Sequence, residues 1–260
     1  FVMGDKEKIV TEYRVEGNRY IFDYENIVPH QMNDTISATL YAEFNGETYS
    51  SAPVEYSVAT YCYSMLSRYT TDAFAEFRTL LVDLLEYGAK SQEYMGYNTD
   101  NLVTANLTDT QKSWGTSTDR EFTSVMDTKY EVIDNPTVSW RGAGLNLQES
   151  VGMRFKIQAT NIENMYVKVT SDDGGEWIIP SEEFEATSGG YYVYFAELNS
   201  GQMSEPVYLT VYDGDVAVSN TVRYSIESYA ATQQNSTDTK LVALLRAIMR
   251  YGDAAKAYIN

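Results

Sequence analysis

An internal repeat is the feature of this sequence that most constrains its fold. Three blocks recur in the same order and at nearly the same spacing in the two halves of the chain. The blocks begin at Gln31, Val54 and Leu84 in the first copy, and at Gln202, Val222 and Ile248 in the second. Three matching blocks do not recur together by chance, so the repeat indicates two copies of one structural module.

Each copy changes its hydrophobic period along its length. Residues 151–157 alternate apolar and polar side chains, which is the period of a half-buried strand. The stripes that begin at Leu241 and Phe77 recur every three or four residues instead, as in an amphipathic helix. We therefore predict an α+β fold of two tandem antiparallel β-sandwich (Ig-like) modules, each followed by a C-terminal α-helix packed on the sheet, at about 72–94 and 236–258.

The repeat also predicts how the chain divides. We expect a first module at residues 1–97, an ordered connector at 98–136 and a second module at 137–260. The first module begins where the second is already several strands deep, so we interpret it as N-terminally truncated. We expect its sheet to have an unpaired edge or to be completed from outside residues 1–260, and we favour a preceding segment.

Two glycines interrupt otherwise helical patterns at matching positions. Gly88 and Gly252 each follow a tyrosine late in the predicted helix. A glycine in a helix costs about 1 kcal/mol relative to alanine, so its presence in both copies needs a reason. We expect close packing at both sites, with a strand as the neighbour.

The charge balance excludes several classes of partner. The chain has 37 acidic and 19 basic side chains, a formal net charge of -18. Nucleic acids and anionic membrane surfaces are bound through Lys and Arg, so we expect neither as a partner. No apolar run approaches the roughly 20 residues that a membrane span needs, so we also expect no membrane insertion.

Catalytic chemistry has little support in the sequence. His30 is the single histidine and Cys62 the single cysteine; we interpret them as a surface-loop residue and a small buried apolar residue. No nucleophile, phosphate or dinucleotide motif occurs. We therefore predict no enzyme, no catalytic residue, no cofactor and no metal site, while calcium at the acidic turns 172–176 and 213–215 stays open.

Aromatic residues are the remaining resource for binding, with 23 Tyr, 3 Trp and 9 Phe. Their flat faces suit sugar rings, although we expect Tyr208 and Tyr212 to pack beneath the helix and Trp140 to lie in the core. Two other tryptophans have no counterpart in the opposite copy, which favours a role specific to one copy. The predicted ligand-binding residues are Trp177, Trp114, Glu176 and Asp173.

Several stretches carry a resemblance to a known family: residues 140–147, 151–155 and 223–229, and the helix around Gly252. They resemble tandem modules of large secreted proteins of gut Firmicutes, ruminococci in particular, some of which resemble starch adherence system proteins. The resemblance implies non-catalytic binding of a neutral polysaccharide, starch or a maltooligosaccharide, by a secreted or cell-surface protein. The family offers no site motif from which binding residues could be carried over.

Two other functions stay open. A structural spacer or protein-interaction module would position neighbouring domains of a large surface protein. A glycoside hydrolase would need two facing carboxylates in a cleft, which the sequence cannot show. Exposed rings at Trp177 and Trp114 would favour ligand binding, and buried rings would favour the spacer.

Overall fold

The computed structural model describes residues 1–25, 27–148 and 151–259. These residues form a mixed α+β fold with several antiparallel sheets. The chain divides into two compact units, Phe1–Gly115 and a second unit from Thr116 onward. The boundary between the units lies within residues 98–136, which we interpreted as a connector.

Short strands form the sheets of the first unit. They comprise one four-stranded antiparallel sheet in the order β2-β1-β5-β8 and two separate hairpins, β3-β4 and β6-β7. The strands are β1 (Val2–Met3), β2 (Lys6–Glu7), β3 (Arg14–Glu16), β4 (Arg19–Ile21), β5 (Ile36–Ala38), β6 (Tyr41–Phe44), β7 (Glu47–Ser50) and β8 (Val54–Tyr56).

Helices provide most of the core of the first unit. They are α1 (Val58–Arg68), α2 (Ala75–Met95) and the short α3 (Asp109–Lys112). In the predicted apolar stripe of α2, Leu81 and Leu85 are buried and the other three residues are partly buried. Helix α1 adds further buried side chains. Two of these side chains, Cys62 and Leu66, are fully buried.

The second unit has longer strands arranged in two sheets. One has four strands in the order β10-β11-β15-β14, and the other has the order β13-β12-β16-β18-β9, with β17 paired to β16. The strands are β9 (Asp127–Glu131), β10 (Ser139–Asn146), β11 (Gly152–Gln158), β12 (Met165–Ser171), β13 (Glu176–Pro180), β14 (Glu185–Thr187), β15 (Gly190–Phe195), β16 (Val207–Asp213), β17 (Val216–Ala217) and β18 (Thr221–Tyr224).

The two sheets of the second unit face each other through aromatic side chains. Phe155 on β11 contacts Tyr224 on β18, with ring centroids 5.4 Å apart. Phe195 on β15 contacts Trp177 on β13 at 5.1 Å. Because alternate residues of a strand point to opposite faces, the alternating buried side chains of β11, β12 and β16 lie between the sheets.

Two helices, rather than the single helix predicted, follow the strands of the second unit. They are α4 (Ile226–Gln233) and α5 (Thr239–Ile259). The observed start of α5 lies three residues after the predicted start at about residue 236, and the Asp238 carboxylate accepts a hydrogen bond from the Leu241 amide there. The first unit has the same pair of helices, α1 and α2.

Matching hydrogen bonds start the helical half of each unit. The Ser57 hydroxyl accepts a bond from the Thr60 amide, and the Thr60 hydroxyl accepts one from the Ser57 amide. Ser225 and Ser228 form the same reciprocal pair at the start of α4. This capping box satisfies backbone donors that the first helical turn would otherwise leave unpaired.

Gly88 and Gly252 pack closely in both units, as expected, but the neighbour is not a strand. Gly88 lies against Met32 and the carbonyl of Pro29, and Gly252 lies against Met203 and the carbonyl of Ser200. Both neighbours belong to 3₁₀ turns, which precede β5 and β16. The long helix of each unit therefore packs on a 3₁₀ turn.

Candidate functional site

An open groove runs across the outer face of the six-stranded sheet in the second unit. It lies on the face that points away from the four-stranded sheet, and its volume is about 440 Å³. We call it the tyrosine groove. It is lined by Tyr130, Glu131, Lys168, Thr170, Ser171, Asp172, Tyr208, Thr210, Tyr212 and Thr221.

Strict alternation along β16 builds the floor of the groove. Val207, Leu209 and Val211 are fully buried between the sheets. Tyr208 and Tyr212 occupy the intervening positions and remain partly exposed on the opposite face. The apolar residues hold the strand in place, so the tyrosines need not be buried for the sheet to be stable.

Tyrosine rings form two pairs in the groove region. Tyr166 on β12 stacks on Tyr212 with ring centroids 5.3 Å apart and planes 7° from parallel. Tyr130 on β9 lies 4.8 Å from Tyr208, at an interplanar angle of 42°. Three strands, β9, β12 and β16, thus present flat apolar surfaces that end in hydroxyl groups.

Polar side chains complete the lining. The Thr221 hydroxyl donates to a Glu131 carboxylate oxygen at 3.1 Å and lies 2.9 Å from the Thr210 hydroxyl. The Lys168 ammonium lies 2.7 Å from a Glu176 carboxylate oxygen. The hydrogen bond to Glu176 raises the pKa of Lys168, so this lysine stays charged and paired.

Tyr208 lies between two charged groups. Partial burial raises its pKa, and a hydrogen bond with Asp172 raises it further, while Arg223 acts in the opposite direction. The Tyr208 hydroxyl is therefore neutral at physiological pH. A neutral phenol can both donate and accept hydrogen bonds, which suits a ligand that carries hydroxyl groups.

The groove belongs to one copy of the repeat. Strand pairing aligns the two units residue by residue. Val2 pairs with Ser37 in the first unit, and Thr170 pairs with Tyr208 at the same position in the second. Ser37 therefore occupies the position of Tyr208. The first unit lacks the central ring of the groove, so a ligand for this surface would bind the second unit alone.

Two of the four residues predicted as ligand contacts lie at one end of the groove. Glu176 is exposed and pairs with Lys168, and Asp173 is next to the lining residue Asp172. The Asp173 carboxylate accepts hydrogen bonds from the Ser171 hydroxyl, the Gly175 amide and the Gln202 side chain. The first two bonds lower the pKa of Asp173, so this carboxylate is ionised and orders the turn.

Trp177 points to the opposite face of the sheet from the groove. It pairs with Val169, which is fully buried between the sheets. Its ring lies over Gly175 and meets Phe195 edge-on. Trp177 is therefore half-buried, and its contacts are those of a side chain packed at the margin of the core.

Trp114 belongs to the first unit, whereas the other three predicted residues belong to the second. Its ring lies under the Arg78 guanidinium, 4.5 Å from the ring centroid. Its carbonyl accepts a hydrogen bond from the Thr79 hydroxyl at 2.8 Å. These contacts attach the segment that contains Trp114 to α2.

The single histidine and the single cysteine, His30 and Cys62, are both at least partly buried. Cys62 is fully buried, as expected, and burial raises the pKa of its thiol to about 12. His30 is not a plain surface residue, since it lies in the 3₁₀ turn Pro29–Gln31 with its ring 5.0 Å from Tyr97. Its Nδ1 atom is buried without a hydrogen-bond partner among the described residues.

The groove tyrosines were wrongly placed by sequence reasoning, which put Tyr208 and Tyr212 beneath the helix. Helix α5 packs on a 3₁₀ turn, and the outer face of the sheet carries an open groove. A usable signal was present in the sequence. The outward positions of β12 and β16 carry tyrosine, threonine and lysine, whereas the buried inward positions carry valine and leucine.

Comparison with known proteins does not identify a ligand or a family for this site. No known protein family, curated protein or solved structure matches the chain. Across the described residues, no group of three or more His, Cys, Asp or Glu side chains is arranged to hold a metal ion. Each helix in that part of the chain is too short or too polar to cross a membrane.

Proposed function

We propose that the second unit binds a neutral polysaccharide, without catalysis, along the tyrosine groove. The observation that supports this most strongly is the lining itself, in which tyrosine faces alternate with hydroxyls and carboxylates on one exposed sheet. Sugar rings place C–H groups on aromatic faces and donate hydroxyl hydrogen bonds to carboxylates. A groove open along a sheet also suits an extended chain.

The charges of the groove favour a neutral ligand. Glu131 and Asp172 contribute carboxylates, and the groove lysine, Lys168, is already paired with Glu176. An anionic ligand would meet this lining and a chain of formal net charge -18. Repulsion would oppose its approach, whereas an uncharged glycan avoids that cost.

The class of glycan and the cellular location rest on the family resemblance. We propose starch or another α-glucan as the ligand, and maltooligosaccharides as its soluble form. We place the protein outside the cell or on a bacterial surface, as one part of a larger protein. We also propose that both units derive from an Ig-like sandwich, an interpretation supported by the facing sheets of the second unit.

A structural spacer is the second candidate function, and one observation favours it. The rings of Trp177 and Trp114 are both engaged, one against Phe195 and the other against Arg78. A module that only positions neighbouring domains would use its tryptophans in this way. The two functions therefore differ in whether the tyrosine groove binds anything.

Titration of the purified chain with maltoheptaose, and affinity electrophoresis in soluble starch, separate these functions. We expect weak binding by the parent, and an affinity about 5- to 10-fold lower in Tyr208→Ser, which copies the first unit, since one aromatic contact contributes about 1 kcal/mol. Tyr194→Ser is the matched control, because Tyr194 is also partly exposed but lies on the other sheet.

Two results would redirect the assignment. Loss of binding in a Trp114→Ala/Trp177→Ala double variant, with full affinity in Tyr208→Ser, would return the site to the tryptophans. A parent chain that binds no polysaccharide at all would leave the spacer as the function.

A further inference from the structure

The strand pairing defines equivalent residues in the two units. Ile36 pairs with Tyr56 on β8 as Val207 pairs with Tyr224 on β18. One step along the same strands, Ala38 pairs with Val54 as Leu209 pairs with Val222. Tyr56 and Val54 are therefore the counterparts of Tyr224 and Val222.

These counterparts differ sharply in exposure. Tyr224 is 3% exposed and Val222 is fully buried, whereas Tyr56 is 50% exposed and Val54 is 65% exposed. The ring of Tyr224 is covered by Phe155 of β11. The first unit thus presents to solvent an apolar surface that the second unit covers with a further strand.

Three strands of the second unit have no counterpart among the described residues of the first. β9 pairs with the outer edge of β18, β11 pairs with β15, and β10 extends that sheet. The hairpin β3-β4 of the first unit is the counterpart of the hairpin β14-β15 of the second. Within the described residues β4 pairs only with β3, and β8 only with β5, so one edge of each strand is open.

We propose that the first unit binds a basic polypeptide segment that adds antiparallel strands to the open edges of β4 and β8 and covers Tyr56 and Val54. Exposed edges recruit strands through their unpaired N–H and C=O groups, and side-chain pockets then select the sequence. We call this surface the strand acceptor.

The chemistry of the segment follows from the strands that do this work in the second unit. Together β9, β10 and β11 carry four basic side chains, three of them on β10 and β11, and two acidic ones, both on β9. On β11 the basic residues alternate with buried Met153, Phe155 and Ile157.

The chain that forms the strands of the first unit, β5 excepted, has the complementary charge. Residues 1–25 and 40–56 contain nine acidic and four basic side chains. We expect the occupant to alternate large apolar residues with Arg or Lys. Its apolar side chains would be buried against the exposed apolar surface, and its basic side chains would lie near carboxylates.

A graft tests the proposal with strands that the chain already contains. Phe1 exchanges backbone hydrogen bonds with Lys8 in the first unit, and Val169 pairs with Trp177, the counterpart of Lys8, in the second. Phe1 is therefore the counterpart of Val169. A second copy of residues 127–168 is therefore fused directly before Phe1 of the full chain. The control graft carries Phe155→Asp and Ile157→Asp in the added copy only.

We expect the active graft to raise the melting temperature of the first unit by about 5 °C or more. Hydrogen exchange in peptides that cover β4 and β8 should slow at least tenfold, and the control graft should change neither quantity. If the graft does not fold, a synthetic peptide of residues 139–158 is titrated into the parent chain, with the same exchange measurement.

Three results would overturn the proposal. The first is an active graft that is disordered and leaves the melting temperature unchanged. The second, if the graft does not fold, is a synthetic peptide that does not slow hydrogen exchange in β4. The third is a parent chain that forms a dimer in which hydrogen exchange in β8 is slowed, since the occupant would then be a second copy of this chain.

Discussion

The sulfur of Met32 lies 2.9 Å from the point where a β-carbon on Gly88 would stand. Met203 and Gly252 repeat the relationship in the second unit, at 3.1 Å. Real β-carbons essentially never have a neighbour at 2.9 Å, and 3.1 Å is closer than most of their contacts, so each glycine allows its helix to lie directly on a 3₁₀ turn. The benefit of this packing offsets the cost of a glycine within a helix.

Gly88→Ala should therefore destabilise the first unit by about 1–3 kcal/mol, although alanine favours a helix more than glycine does. The added methyl group would meet the Met32 sulfur, Val103 and the carbonyl of Pro29. Urea unfolding followed by circular dichroism measures the change. In a Met32→Ala/Val103→Ala background the same substitution should cost less, and an equal cost in both backgrounds would contradict the steric explanation.

Arg120 supports the second unit through a buried carboxylate. Its guanidinium lies 2.8 Å from Glu227, which is buried, and 2.8 Å from Asp253. Arg120→Met should cost about 1–3 kcal/mol, because the Glu227 carboxylate would then be buried without a cation. Calorimetry of the second unit's unfolding transition measures this loss.

The repeat supplies the control for Arg120. Ala59 and Ala89 occupy the positions of Glu227 and Asp253 in the first unit. A triple variant, Arg120→Met with Glu227→Ala and Asp253→Ala, should recover part of the stability that Arg120→Met loses. If the triple variant is less stable than Arg120→Met alone, the carboxylates stabilise the unit by another route.

His30 should make the first unit less stable in mild acid. Burial lowers the pKa of His30 below its ordinary value of 6.5, with Asp34 acting weakly in the opposite direction. The unfolded chain then binds the proton more tightly, so stability should be full above pH 6.5 and should fall as the pH decreases through that value. Melting temperatures at pH 7.5 and 5.5 test this expectation.

His30→Gln is the matching variant for the pH experiment. It keeps a polar side chain of similar size but removes the titrating group. The change in melting temperature between pH 7.5 and 5.5 should shrink in this variant, because most carboxylates titrate below that window. An undiminished change would show that another group is responsible.

Sequence periodicity predicted the elements whose apolar residues are regularly spaced. The alternation of Met153, Phe155 and Ile157 located β11, and the stripe from Leu241 located α5. β9 was missed because Asp127–Glu131 is an edge strand whose residues are all exposed, so it has no apolar alternation to detect.

The binding residues were harder to predict for a related reason. Alternation shows that Tyr208 and Val207 point to opposite faces, but it does not show which face another element covers. Trp177 has Lys8 as its counterpart, and Lys8 lies over Tyr24 as Trp177 lies against Phe195. A residue that occurs in only one copy can therefore make the packing contact that a different residue makes in the other copy. It need not bind a ligand.

The position of β9 determines the smallest fragment that retains the groove. Tyr130 and Glu131 form one wall, and both precede the first strand of the four-stranded sheet along the chain. A fragment that begins at residue 137 would keep both helices and most of the strands but would lose that wall. Recombinant fragments for ligand screening should therefore begin before Asp127, since a shorter fragment can fold and still give a false negative.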